Sequence, residues 1–84
     1  MSRKISEMRN LGPACQKWLA AADIHNEEQL KELGAVEAYH RANFFAQQRP
    51  HLMFLYALHA AILDIDMRLL SSEDRKALKD AAKS

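Results

Sequence analysis

The chain has little of what breaks or staples a polypeptide: two glycines, two prolines and a single cysteine among 84 residues. One cysteine, Cys15, excludes an internal disulfide and leaves no second thiolate for a metal cage, so packing has to hold the fold. No apolar run approaches the roughly 18 residues that a membrane helix needs, and no charged-then-apolar leader opens the chain. A cytoplasmic setting without membrane contact is therefore expected. An excess of one charge is also lacking. Twelve Lys and Arg stand against eleven Asp and Glu, and a net charge of +1 provides no overall field to gather nucleic acid. The distribution is uneven, however. Residues 1–22 carry Arg3, Lys4, Arg9 and Lys17 against Glu7 alone, whereas the remainder is net negative. Any anion site is expected near the N-terminus.

What is present is a globular mixture, 49% hydrophobic and 27% charged, in a length that suits one small domain spanning 1–84. The periodicity predicts an all-α protein, a bundle of about five to six short helices. A first helix over about 2–8 places Ile5 and Met8 on one face. Asn10-Leu11-Gly12-Pro13 breaks it, with Asn and Gly suited to positive φ and Pro13 suited to the first position of a new helix. That helix, about 13–22, lines up Cys15, Trp18, Leu19 and Ala22 as a buried stripe. Asn26 with Gln29 three residues on predicts a capped start for a helix over 27–33, which Gly34 ends. The next helix offers Ala35, Ala38, Tyr39, Ala42, Phe45 and Ala46 as its buried stripe. Gln47-Gln48-Arg49-Pro50 reads as a break. A central helix over about 51–65 is apolar on nearly every side. Ser71 and Asp74 predict the cap of a last helix over about 72–82, which buries Ala77, Leu78 and Ala81.

The two glycines are 22 residues apart, and sliding the chain by that shift lays Met8 on Leu30, Leu11 on Leu33 and Pro13 on Ala35. Two hairpins of similar design, near 9–13 and 33–36, are therefore expected in tandem. In each, leucine plugs the gap between two helices and glycine takes a backbone conformation that other residues resist; the plainer alternative is two independent helix stops.

The segment Met8-Arg9-Asn10-Leu11-Gly12-Pro13 resembles the helix-hairpin-helix signature. More narrowly, RNLGPACQKWLAAADIH, QLKELGAVEAYHRA and LMFLYALHAAILDIDMRLL resemble the C-terminal domain of the TfoX/Sxy family of bacterial competence regulators, over about residues 5–82. The resemblance implies a helix-hairpin-helix-related fold and a setting in bacterial transcription regulation, in a family whose longer members carry an additional N-terminal domain. It implies no enzymatic activity.

In DNA-binding hairpins of this kind, main-chain N–H groups and a helix start meet a phosphate, and a nearby cation completes the site. The candidates are Arg9, Asn10, Leu11, Gly12, Ala14 and Lys17, with Arg3 and Lys4 contributing from the first helix. Two departures weaken the pattern: Asn10 replaces a glycine, and Ala14 stands where lysine is common. Acidic Glu27, Glu28, Glu32 and Glu37 surround the second hairpin. Structural hairpins are the plainer reading, and DNA binding through the first would be weak and salt-dependent.

Cys15 lies on the Trp18/Leu19 stripe, which favours a buried, inert thiol over a reactive one. His25, His40, His51 and His59 fit no zinc spacing. His59 reads as a core histidine, and Asp64 and Asp66 as helix-ending residues rather than an acid–base pair. Val36 and Phe44 are candidates for an interaction surface, Phe44 lying off the stripe of its helix; packing under the long apolar helix is its plainer reading. No catalytic constellation, cofactor or small-molecule substrate is indicated. A protein partner or a second copy of the chain is the expected partner, with DNA as the weaker alternative.

Overall fold

The structure is a computed structural model and describes residues 3–46 and 51–83. Its elements are all helical, and the order follows the local stop and start signals closely. A single 3-10 turn, Ile5–Glu7, stands where a longer first helix was expected. It is followed by α1 (Pro13–Ala21), α2 (Glu27–Leu33), α3 (Ala35–Phe45) and α4 (Leu52–Leu63). A second 3-10 turn, Met67–Leu69, which the periodicity did not predict, precedes α5 (Ser72–Lys83). The expected break at 47–50 lies outside the described residues.

The helix starts show why the boundaries fall where they do. Asn26 caps α2 by accepting from the Gln29 N–H at 2.9 Å, and Gln29 reaches back to accept from the His25 N–H at 2.7 Å. One donor that the first turn leaves over and the N–H just before the cap are thereby satisfied. Ser71 and Asp74 cap α5 reciprocally: the Asp74 N–H donates to Ser71 Oγ at 3.1 Å and the Ser71 N–H to Asp74 Oδ2 at 3.3 Å. Pro13 occupies the first position of α1, where its missing donor costs nothing.

The core is built mainly by α3 and α4. Ala35, Ala38, Tyr39 and Ala42 form the buried stripe of α3, and the small side chains of its three alanines let α1 and α4 approach closely. The stripe stops there. Phe45, expected to continue it, is exposed, because the helix ends at that residue and the pattern outruns the neighbours it would pack against. α4 buries Phe54, Leu55, Ala57, Leu58, Ala60 and Ala61. This satisfies the expectation of a central helix, although Met53 and Leu63 near its ends are exposed. Trp18 joins α1 to α4 by an edge-on contact with Phe54, with ring centroids 5.1 Å apart. α5 is held less tightly. Leu78 is its buried residue, with Ala82 packed against the core, whereas Ala77 and Ala81 face solvent, contrary to expectation. The Arg75 guanidinium lies 5.5 Å from the Tyr56 ring centroid and adds a cation–π contact to α4.

Candidate functional site

The first hairpin is pinned to the core by its apolar side chains. Ile5, Met8 and Leu11 are all buried, and the chain between them is folded by Met8 N–H to Ile5 O at 3.1 Å and Leu11 N–H to Met8 O at 3.3 Å. The turn is completed by Asn10, whose φ of 69° is the left-handed conformation that asparagine tolerates better than most residues. Gly12 does not take such a conformation. Its φ of −112° and ψ of −171° are extended backbone open to any residue, and a Cβ built there meets nothing within 4 Å. The expectation that glycine supplies the strained conformation in both hairpins is therefore corrected. At the first hairpin Asn10 supplies it, while Gly12 simply caps α1, its carbonyl accepting from the Gln16 N–H at 3.0 Å.

The side chain of Asn10 explains why asparagine stands there. Its Nδ2 donates to the Ile65 carbonyl at 2.7 Å, and its Oδ1 accepts from the Met67 N–H at 3.0 Å. Both ends of the amide are thus spent on fastening the hairpin to the chain beyond α4. Leu11, buried and with its N–H bonded to Met8, is likewise unavailable to a phosphate. Of the candidate amides, that of Ala14 lies in the first turn of α1 with the amide of Cys15 after it, where the helix itself offers no acceptor.

The cations that would complete an anion site are partly committed elsewhere. Arg3 pairs with Glu27, its Nε donating to Oε2 at 3.0 Å, and its Nη2 lies 3.5 Å from Asp64 Oδ1. Arg9 Nε is 3.7 Å from the same Asp64 oxygen. The Asp64 carboxylate thus stands beside both arginines. The hydrogen bond from Arg3 holds the Glu27 carboxyl below its ordinary range, against the opposing effect of desolvation, and the Arg3 pKa is raised in turn. Lys4 and Lys17 are exposed. The positive N-terminal segment seen in the sequence is therefore largely offset in space by acids 24 and 61 residues away. Asp64 itself caps α4 in the left-handed conformation, φ 58°. Asp66 caps the second 3-10 turn, and its carboxyl is lowered to about 2 by hydrogen bonds from the Arg68 side chain and then the Arg68 N–H.

The second hairpin is reduced to one residue. Gly34 donates to the Leu30 carbonyl at 2.9 Å as the end of α2 and accepts from the Ala38 N–H at 3.1 Å as the start of α3. Its φ of 84° and ψ of 162° belong to a region essentially reserved for glycine.

The other candidate residues fall apart in space. Val36 is half-buried against the core, whereas Phe44 is 75% exposed, so the packing under α4 that was its plainer reading is not what the chain does. Eight residues of helix separate the two, about 12 Å. The partner of Phe44 is instead Phe45, set edge-on at 5.1 Å.

Sequence reasoning also missed an open groove between α1 and α4, about 250 Å³ in volume. Asn10, Cys15, Trp18, His51, Met53, Phe54, Ala57 and Met67 line it. Cys15 is half-buried there rather than sealed in the core. Among the described residues, no group of His, Cys, Asp and Glu side chains is arranged to hold a metal ion, and no helix is long and apolar enough to cross a membrane.

Comparison with known proteins agrees with this architecture. The family model described as the TfoX C-terminal domain matches residues 1–82. The chain belongs to that family. Two crystal structures from Listeria monocytogenes share the fold. One is an uncharacterized protein in a triclinic form, 28% identical, with a TM-score of 0.85 over 95% of this chain and 90% of that one. The other is a protein of unknown function in a tetragonal form, also 28% identical, with a TM-score of 0.83 over 94% and 95% of the two chains. Among curated proteins, none matches. The TfoX-type fold is thus shared across chains that differ at most positions, while the roles of Asn10, Asp64 and Phe44 are read from the geometry of this one.

Proposed function

We propose that this TfoX C-terminal domain is a non-catalytic module of bacterial competence and transcription regulation that works in the cytoplasm by binding protein, without a cofactor or small-molecule substrate. The observation that carries this reading is the aromatic pair Phe44–Phe45, exposed at the end of α3 where a monomer gains nothing by displaying two phenyl rings. Membership of the TfoX family supports the regulatory setting.

DNA binding through the first hairpin is the second reading, favoured by exposed Lys17 and by the open start of α1. Against it stand the commitment of Asn10 to Ile65 and Met67 and the placement of Asp64 beside Arg3 and Arg9. One comparison separates the two. Regulated transcription is measured in cells carrying Phe44→Lys or the double substitution Arg9→Ala/Lys17→Ala, alongside duplex binding at about 50 mM salt. The protein-binding reading expects loss of regulation with Phe44→Lys and little change with the double variant. Salt-dependent duplex binding lost in the double variant, with regulation following it, would overturn that reading in favour of DNA.

A further inference from the structure

α3, α4 and α5 are close in length and unlike in what they bury. α3 buries four residues and α4 six, whereas α5 buries Leu78 alone. Arg75 and Ala82 are half-buried, and the other described residues of α5 face solvent. α5 therefore rests on α3 and α4 along a narrow line. We infer that α5 is a lid that swings off α3 and α4 as one unit, about a hinge between Leu70 and Ser71, while the rest of the chain keeps its packing.

The hinge follows from burial. Leu70 is 6% exposed and its N–H donates to the Met67 carbonyl at 3.2 Å, so the chain is fixed up to that residue. Ser71 and Ser72 beyond it are exposed. The cap of α5 is self-contained. Ser71 and Asp74 bond each other, and the Arg75 N–H donates to the Ser71 carbonyl at 3.0 Å. All three bonds join residues on the same side of the hinge, so none of them resists the swing. The first hairpin is the opposite case, because the Asn10 amide is bonded to Ile65 and Met67, far along the chain.

Magnitudes separate the swing from unfolding. Leu78 is the buried anchor, Ala82 packs one helical turn beyond it, and the Arg75 guanidinium lies 5.5 Å from the Tyr56 ring centroid. Burial of one leucine and a surface cation–π pair together favour the docked state by on the order of a hundredfold. Arg75 Nε, buried without a protein hydrogen-bond partner, regains water when α5 leaves, which offsets part of this. A folded domain outweighs its unfolded chain by about ten-thousandfold or more. The lid therefore opens far more often than the domain unfolds. A helix of twelve residues is marginal in water by itself, so the open lid loses its hydrogen bonds and its amides exchange.

The test is amide hydrogen exchange of the full chain, read residue by residue by NMR from zero urea to just below the unfolding transition. The amides from Arg75 to Ala82 should share one opening constant, at least about a hundredfold larger than that of α4, with little dependence on urea because little surface is uncovered. Leu78→Ala should raise that constant about thirtyfold in a chain that stays folded. Ile24→Val, in the core between α1 and α2, should speed the slowest α4 amides about fivefold and leave α5 unchanged. α5 amides as slow as those of α4, or speeded equally by Ile24→Val, overturn the inference, since α5 then opens only when the domain unfolds. A graded rise toward Lys83, with Arg75 and Lys76 as slow as α4, also overturns it, because the helix then frays from its end and does not swing. Loss of the whole fold in Leu78→Ala counts the same way.

Discussion

The two hairpins of this domain have the same sequence outline and opposite construction. Each sets a buried apolar residue, Met8 or Leu30, four residues before a glycine that opens a helix. In the second hairpin the turn is entirely local: Gly34 ends one helix and begins the next, and its backbone conformation does all the work. In the first hairpin the glycine is relaxed, and the turn depends on Asn10, held by partners 55 and 57 residues away. A repeated motif in the sequence therefore does not mean a repeated source of stability. One turn is made by what a residue lacks, the other by what a side chain reaches.

This contrast can be broken most forcefully at Asn10. Replacing it with alanine removes two hydrogen bonds, strands the Ile65 carbonyl and Met67 N–H, and leaves a β-carbon in the left-handed region. A loss of about 3 kcal/mol is expected in denaturant unfolding. Asn10→Gly, which restores the backbone freedom but not the amide, should recover only part of it. Gly34→Ala comes next, at about 2 kcal/mol, all of it backbone strain because the added methyl meets nothing. Gly12→Ser should act in the opposite direction, raising stability by about 0.5 kcal/mol, since a serine N-cap suits this extended residue and the unfolded chain loses freedom. If Gly12→Ser and Gly34→Ala cost the same, the two glycines do the same work and the contrast is wrong.

The smallest expected effect concerns the seam between the hairpins, where Arg3 of the first meets Glu27 of the second. Glu27 and Asp66 both have lowered pKa values in the fold, so the stability they add is present above the ordinary carboxylate range. It is lost as the pH falls through their folded values, Asp66 titrating near 2. The melting temperature should be level above about pH 5 and decline toward pH 2. The double variant Glu27→Gln/Asp66→Asn should show a shallower decline; an identical profile would show that these pairs contribute nothing.

What was legible in the sequence was what neighbours along the chain decide. The cap of α2 at Asn26 and Gln29, its stop at Gly34 and the cap of α5 at Ser71 and Asp74 all lie within four residues of their partners, and all were predicted in place. The site was harder to read. Arg9 and Arg3 look like free cations in sequence because Asp64 is more than 50 residues away, and only the docking of the hairpin beside the end of α4 brings them together. Phe45 matched the buried stripe of α3 by periodicity, yet periodicity carries no information on where the facing surface ends. The groove combines residues from three segments, none of which is unusual alone. Of the candidate phosphate contacts, the structure leaves Lys17 and the first turn of α1 open and commits Asn10 and Leu11 to the fold.

Gly34 also has a mechanical meaning. A one-residue turn is a joint with a single pair of torsions, so α2 has no slack by which to shift independently of α3. α3 is anchored by four buried residues and α2 by Leu30, so a rotation at the joint moves α2. Over its seven residues, a turn of about 10° displaces the far end by roughly 2 Å. That far end carries Glu27, clasped by Arg3. The ion pair that joins the hairpins thus acts at the longest lever arm from the joint, where a modest force holds α2 best and where its release would be felt most.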